Sequence, residues 1–198
     1  MILIASNNAH KIKMIGRILD ELSVGYCTLA DAGLSDDFEE EGNSLKEIAE
    51  GKAAHYSKMF NGTVVSTDGG VSIPALKDWN PLYTRRFCGK EASDLERIKA
   101  LLELAKGLKG DERRFHWTEC VAIAEKGEVL LSFEAQGDEG LLQESFDLEK
   151  REPGIWLCSL WHYPDAGKNF FDLTVEEKRA HAESSWKRIE EELSEFFN

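Results

Sequence analysis

The chain has 198 residues, enough for one sizeable domain or a core with a small lobe, and too few for two independent units. Apolar residues make up 42% and charged ones 31%, as in a globular protein, but the formal net charge of −13 has the wrong sign for a protein that holds a nucleic acid polymer. A phosphorylated small molecule can still bind if lysines, a helix N-terminus or a divalent cation reverse the field locally.

Met1–Ala5 is apolar, has no basic leader and runs directly into polar Ser6-Asn7-Asn8. It predicts a buried strand, not a signal peptide or a membrane span. Ile12, Ile15, Ile18, Leu19 and Leu22 follow at helical spacing, which leaves Ser6–Lys11 at a strand-to-helix junction. A second strand is expected over Val24–Leu29, an acidic loop over Ser35–Glu41, and a helix capped by Asn43 or Ser44 and reaching Met59. Val64 and Val65 start a strand expected to end at Asp68-Gly69-Gly70.

Beyond Asn80-Pro81, the spacing of Leu95, Ile98, Leu101, Leu102 and Leu104 predicts another helix, read as part of a lobe or cap. Phe115–Ala124 and Glu128–Ala135 flank Lys126-Gly127 as a hairpin. Thr174–Phe197 reads as a single amphipathic helix, with Thr174 as cap and Glu177 at the third position after it. Cys27, Cys88, Cys120 and Cys158 show no paired spacing, which suggests reduced thiols in a cytoplasmic protein rather than a zinc site or a disulfide framework.

Three segments have residues suited to phosphate chemistry. Ser6-Asn7-Asn8-Ala9-His10-Lys11 offers helix-start N–H groups and a mobile positive charge; the alternative is a capped turn. Glu39-Glu40-Glu41, followed by a helix carrying Glu47 and Lys52, offers the hard carboxylate oxygens that magnesium selects, or else is a solvated acidic loop. Ser66-Thr67-Asp68-Gly69-Gly70 would place a carboxylate where open α/β sheets put ligands, with Asp68 holding a metal or deprotonating a water; the alternative is an Asp-Gly turn.

Taken together, these segments resemble the inosine/xanthosine triphosphate pyrophosphatase family, which hydrolyses non-canonical purine nucleotides. Ser6-x-Asn8-x-x-Lys11 matches that family's Ser/Thr-x-Asn-x-x-Lys motif, and Glu40-Glu41-Gly42 through Lys52-Ala53 is similar to its Glu-x-Gly-x-Thr-Phe-x-Glu-Asn-Ala-x-x-Lys-Ala signature. Thr67-Asp68-Gly69-Gly70-Val71 stands where the family has Asp-Asp-Ser-Gly-Leu, and Tyr83–Gly89 resembles its Tyr-Ser-Ala-Arg-Tyr-x-Gly segment. Leu173–Lys178 still looks like Leu-Thr-x-Glu-Glu-Lys. The base-reading Ser-His-Arg, however, is replaced by Ala182-Glu183-Ser184, and Phe-Gly-Tyr/Trp-Asp-Pro by Ile155-Trp156-Leu157-Cys158-Ser159.

The resemblance implies a single pyrophosphatase-like domain over residues 1–198, an elongated α/β fold with two lobes around a strongly twisted mixed sheet and a cleft between them, and a homodimer. It implies hydrolysis of a nucleoside triphosphate to monophosphate and pyrophosphate with magnesium, for which manganese can substitute. Asp68, Lys11 and Lys52 would be catalytic and Glu40 and Asp68 would hold the metal. Ser6, Asn7, Asn8, Lys11, Lys52, Gly69, Arg86, Trp156 and Lys178 would contact substrate. Two alternatives stay open: a regulatory nucleotide-binding protein with weak or no catalysis, and a Maf-type pyrophosphatase acting on pyrimidine or modified nucleotides.

Overall fold

The apolar opening forms strand β1 (Ile2–Ala5), buried at all four positions in a computed structural model that describes residues 1–35, 38–89, 91–182 and 184–198. Asp36 and Asp37 of the acidic loop, and Glu183, lie outside the described residues. Helix α1 (Ala9–Glu21) buries Met14, Ile15, Ile18 and Leu19, the face its apolar spacing requires. Strand β2 (Tyr26–Thr28) is followed by helix α2 (Leu45–Ser57), which Ser44 caps by accepting from Glu47 N.

Strand β3 (Thr63–Ser72) corrects one expectation, because it runs on through Asp68-Gly69-Gly70 instead of ending there. Gly70 is in extended backbone, and a Cβ on it would sit 2.3 Å from the Pro81 carbonyl oxygen. Gly70 therefore serves the close approach of another segment and not a turn. Helix α3 (Asp94–Leu104) starts at a Ser93/Glu96 capping box.

Strands β4 (Arg114–Glu125) and β5 (Glu128–Leu142) form the expected hairpin, longer at both outer ends. Lys126 (φ 53°) and Gly127 (φ 89°) both occupy the left-handed region that a two-residue hairpin loop demands. Two short strands follow, β6 (Trp161–Tyr163) and β7 (Lys168–Asn169).

The C-terminal segment is the second correction. Thr174 and Glu177 form a reciprocal cap, but the helix they start, α4 (Val175–Glu177), passes into a π-helical stretch, Lys178–Ala182, before helix α5 (Ser184–Phe197). An extra residue per turn there shifts the register of everything after it, so a single 3.6-residue period cannot describe the whole span.

The seven strands hydrogen-bond in the order β2-β1-β3-β4-β5-β6-β7 as an open mixed sheet. β1 runs parallel to both β2 and β3, while β6 is antiparallel to β5 and β7. By its contacts the chain divides into two compact units, Met1–Gly69 with Glu119–Ala135 and Trp186–Asn198, and Gly70–Thr118 with Gln136–Ser185.

The first unit is built on Ile2, Ile4, Ile15, Ile18, Val65, Val121, Ile123, Ile189 and Leu193, with a smaller cluster of Leu3, Leu29, Tyr56 and Val64. The second packs Ile98, Leu101, Phe115, Leu157, Leu160 and Trp161. Its buried Arg113 donates to the carbonyl oxygens of Ala105, Leu108, Leu142 and Gln143, so four backbone acceptors are satisfied by one guanidinium fork. Among the described residues no helix is long and apolar enough to cross a membrane, and the four cysteines are free.

Candidate active site

In the first unit, Ala5 is level with Ser66 in the β1–β3 register. Parallel pairing stops there, so the turn that follows β1 and the two residues that follow Ser66 lie at the same sheet level. Ser6–Lys11 and Asp68 are thus brought together at the carboxyl ends of parallel strands, the position at which open α/β sheets accept ligands.

The turn is tied down by its own side chains. Asn8 N donates to Ser6 Oγ at 3.1 Å, and Asn8 Oδ1 accepts from His10 N at 2.9 Å and Lys11 N at 3.4 Å. Asn8 is therefore the helix cap, and the two amides expected to face a phosphate are already bonded to it. Ser6 and Asn8 shape the loop; Lys11 projects from it, and Asn7 is exposed. On the adjacent strand, Ser66 Oγ donates to the Ala49 carbonyl, which fixes β3 against α2 two residues before Asp68.

Lys52, from the third turn of α2, meets Glu40 at 3.1 Å, and Lys11 meets Glu119 of β4 at 2.7 Å. The charges of Lys11, Lys52, Glu40 and Glu119 all act on Asp68. Burial raises Asp68 to about 6, against the pull of the two lysines and with the help of the two glutamates. Burial alone would lower Lys11, but Glu119, Asp68 and Glu40 outweigh it and hold the ammonium above its ordinary value. Cys120, next to Glu119, is pushed up to about 12 by burial and by Glu134, Glu119 and Asp68, so it presents a thiol and no thiolate.

Four of the expected residues, Lys11, Glu40, Lys52 and Asp68, therefore share one electrostatic cluster, with Gly69 beside Asp68 in β3. Sequence reading missed Glu119. Its signal was an acidic residue directly ahead of the apolar run Cys120–Ala124 in a strand, where an ionised group needs a partner.

The other three expected contacts lie in the second unit. Arg86 sits 5.4 Å over the Tyr83 ring, and Lys178 is 4.6 Å from the Phe170 ring centre. Trp156 is a core residue, 6% exposed and stacked on Phe87 at 5.9 Å, and Trp161 stacks on Phe115 at 4.7 Å. Apolar packing takes both rings inward, Trp156 in a short 3₁₀ turn and Trp161 at the start of β6. Ser184 Oγ accepts from Asp138 N at 2.9 Å, and buried Cys158 is held well above the ordinary thiol value by burial and then by Asp138.

Among the described residues no three His, Cys, Asp or Glu side chains close on one metal-sized point. Glu40 and Asp68 offer the hard carboxylate oxygens that a divalent cation such as magnesium takes one or two of, with water and phosphate completing its shell.

The chain is similar to known proteins over most of its length. The chain is 31% identical over 187 residues to the dITP/XTP pyrophosphatase of Clostridium perfringens, covering 90% of this chain and 88% of that protein. It is 26% identical over 189 residues to the dITP/XTP pyrophosphatase of Bacillus subtilis, covering 94% and 93%. The fold is that of the HAM1 protein from Coxiella burnetii, with a TM-score of 0.82 at 24% identity over 98% of both chains. It is also that of the Staphylococcus aureus Ham1 protein, with a TM-score of 0.78 at 23% identity over 97% of each. The Ham1 family model matches residues 2–182, which takes in the Ser6–Lys11 turn, the acidic segment, Asp68 and Glu119 together, and the chain belongs to the Ham1 family.

Proposed function

We propose that this chain hydrolyses nucleoside triphosphates to the monophosphate and pyrophosphate and clears non-canonical purine nucleotides, as the names of its relatives indicate for them. The observation that carries the reading is the convergence of Lys11 and Lys52 with Glu40 and Asp68 in a chain whose net charge is −13. Lys11 and Lys52 bring two half-buried cations to a cluster that also holds Glu40, Glu119 and Asp68, so a divalent cation carried with the polyphosphate would complete the local field reversal that it requires.

Lys11 and Lys52 bind the polyphosphate oxygens and orient the chain of phosphates. Asp68, ionised, orients the attacking water and accepts its proton. Glu40 and Asp68 would hold magnesium, with manganese able to substitute; when bound, the ion supplies charge neutralisation at the phosphate and Lewis acidity. Thr67, where the resembled family motif has a carboxylate, adds a hydroxyl but no charge.

Base discrimination differs from that of the relatives. Ala182-Glu183-Ser184 and Ile155–Ser159 replace the two base-reading motifs, and Cys158, held as a neutral thiol, stands where the family has a charged carboxylate. Losing buried groups that an unwanted base would leave unpaired widens the range of bases accepted. We place the enzyme in the cytoplasm on its free cysteines, and as a homodimer on the family resemblance.

The test is pyrophosphate release from a panel of nucleotides, ITP, XTP, dITP, the four common triphosphates and modified pyrimidines, with magnesium and with chelator. Magnesium-dependent release from inosine and xanthosine nucleotides, with a shallower preference than strict purine selectivity, is expected. Binding without release identifies a regulatory protein, and release confined to pyrimidines identifies a Maf-type activity.

A further inference from the structure

We propose that Glu119 is a positioning residue that fixes the Lys11 ammonium for phosphate transfer; the inference rests on the proposed role of Lys11. Glu119 belongs to none of the three segments that the sequence marks for phosphate chemistry. It comes from β4, is 1% exposed, and lies 2.7 Å from Lys11 Nζ.

The physical case starts from the lysine. Its ammonium ends a four-carbon stem and carries three donors in a rotatable tripod, so by itself it samples many positions. Glu119, paired with it at 2.7 Å, restricts that freedom while the ammonium keeps donors for incoming oxygens. The lysine side chain is 14% exposed and that of the glutamate 2%, so the carboxylate is the fixed member of the pair and the lysine is the one with access to solvent.

A second consequence separates this role from simple charge balance. A carboxylate beside a polyphosphate repels it, so Glu119 opposes ground-state binding while it orders the group that acts on the substrate. Removing the charge without removing the shape should loosen Lys11 and relieve the repulsion together. The two effects fall on different kinetic constants.

The experiment compares Glu119→Gln, Glu119→Asp, Lys11→Ala and the Glu119→Gln/Lys11→Ala double variant, each checked by its thermal melt. It measures kcat and KM with the best nucleotide, and the Kd of a triphosphate analogue with a non-hydrolysable α,β linkage. For Glu119→Gln a fall in kcat on the order of tenfold is expected, with KM and the analogue Kd unchanged or lower. Glu119→Asp should recover part of kcat, and in the Lys11→Ala background Glu119→Gln should cost less than about twofold.

A wild-type kcat in Glu119→Gln, a loss arising from raised KM alone, or a loss that multiplies undiminished onto Lys11→Ala would overturn the inference while leaving the phosphate role of Lys11 standing. A wild-type rate in Lys11→Ala would overturn both. Should Glu119→Gln not fold, the kcat and KM of Glu119→Asp decide in the same way, with a lowered kcat at unchanged KM expected.

Discussion

Asp68 is held by the fold at a cost in stability. Its value of about 6 stands above the ordinary 3.8, so the folded state prefers the protonated form. The stability this contributes is fully present below about 3.8 and is lost as pH rises through about 6. Asp68→Asn should abolish hydrolysis while melting at or above the wild-type temperature in metal-free buffer at pH 7.5, and its advantage should grow between pH 4 and pH 7. A variant that keeps most of its rate, or that melts well below wild type at neutral pH, contradicts the assignment. Lys11→Ala should lower kcat/KM on the order of tenfold to a hundredfold, as expected for a lost hydrogen bond to a charged group of about 1.5–3 kcal/mol, and by a similar factor for every base accepted. A penalty that varies strongly with the base would reassign Ser6–Lys11 as a capped turn only. Lys11, Glu40, Lys52 and Asp68 were legible because their spacing within short segments carries the pattern. Glu119 was not, because nothing local in β4 says which face its carboxylate takes or that Lys11 lies opposite.

The elements that could be read were those whose signals are local. The α1 period, the Ser93-x-x-Glu96 cap and the Lys126-Gly127 hairpin loop each carry their own instruction. β3 departs from the expectation because Asp68-Gly69-Gly70 spells a turn, whereas the glycine at 70 answers a contact eleven residues on in sequence, the Pro81 carbonyl. Gly70→Ala tests this directly. A Cβ would lie 2.3 Å from a backbone oxygen that cannot swing aside, so the variant should lose on the order of 1–3 kcal/mol of stability or more, read by denaturant unfolding. A neutral substitution would mean that the glycine serves flexibility instead. The C-terminal span was misread for a different reason. A π-helical stretch preserves helical composition while breaking its period, so Lys178–Ala182 looks in sequence like uninterrupted α-helix.

For the molecule as a whole, the net charge of −13 and the local cluster act against each other. Beyond roughly a Debye length, about 8 Å at physiological salt, a triphosphate senses little of the surface charge, and within it a triphosphate in the proposed site would meet Lys11, Lys52 and the carboxylates. A divalent cation carried with the phosphates offsets both the substrate's charge and that of Asp68 and Glu40, so chelation should remove activity entirely and Glu40→Gln should raise the magnesium concentration needed for half-maximal rate several-fold; an unchanged magnesium requirement would take Glu40 out of the metal site. The account as a whole stands on which bond is cut. The most direct measurement is the product balance from inosine triphosphate with magnesium, following monophosphate, pyrophosphate and orthophosphate together. One monophosphate and one pyrophosphate per nucleotide consumed, with no orthophosphate, is the predicted result; release of orthophosphate with accumulation of the diphosphate would contradict it.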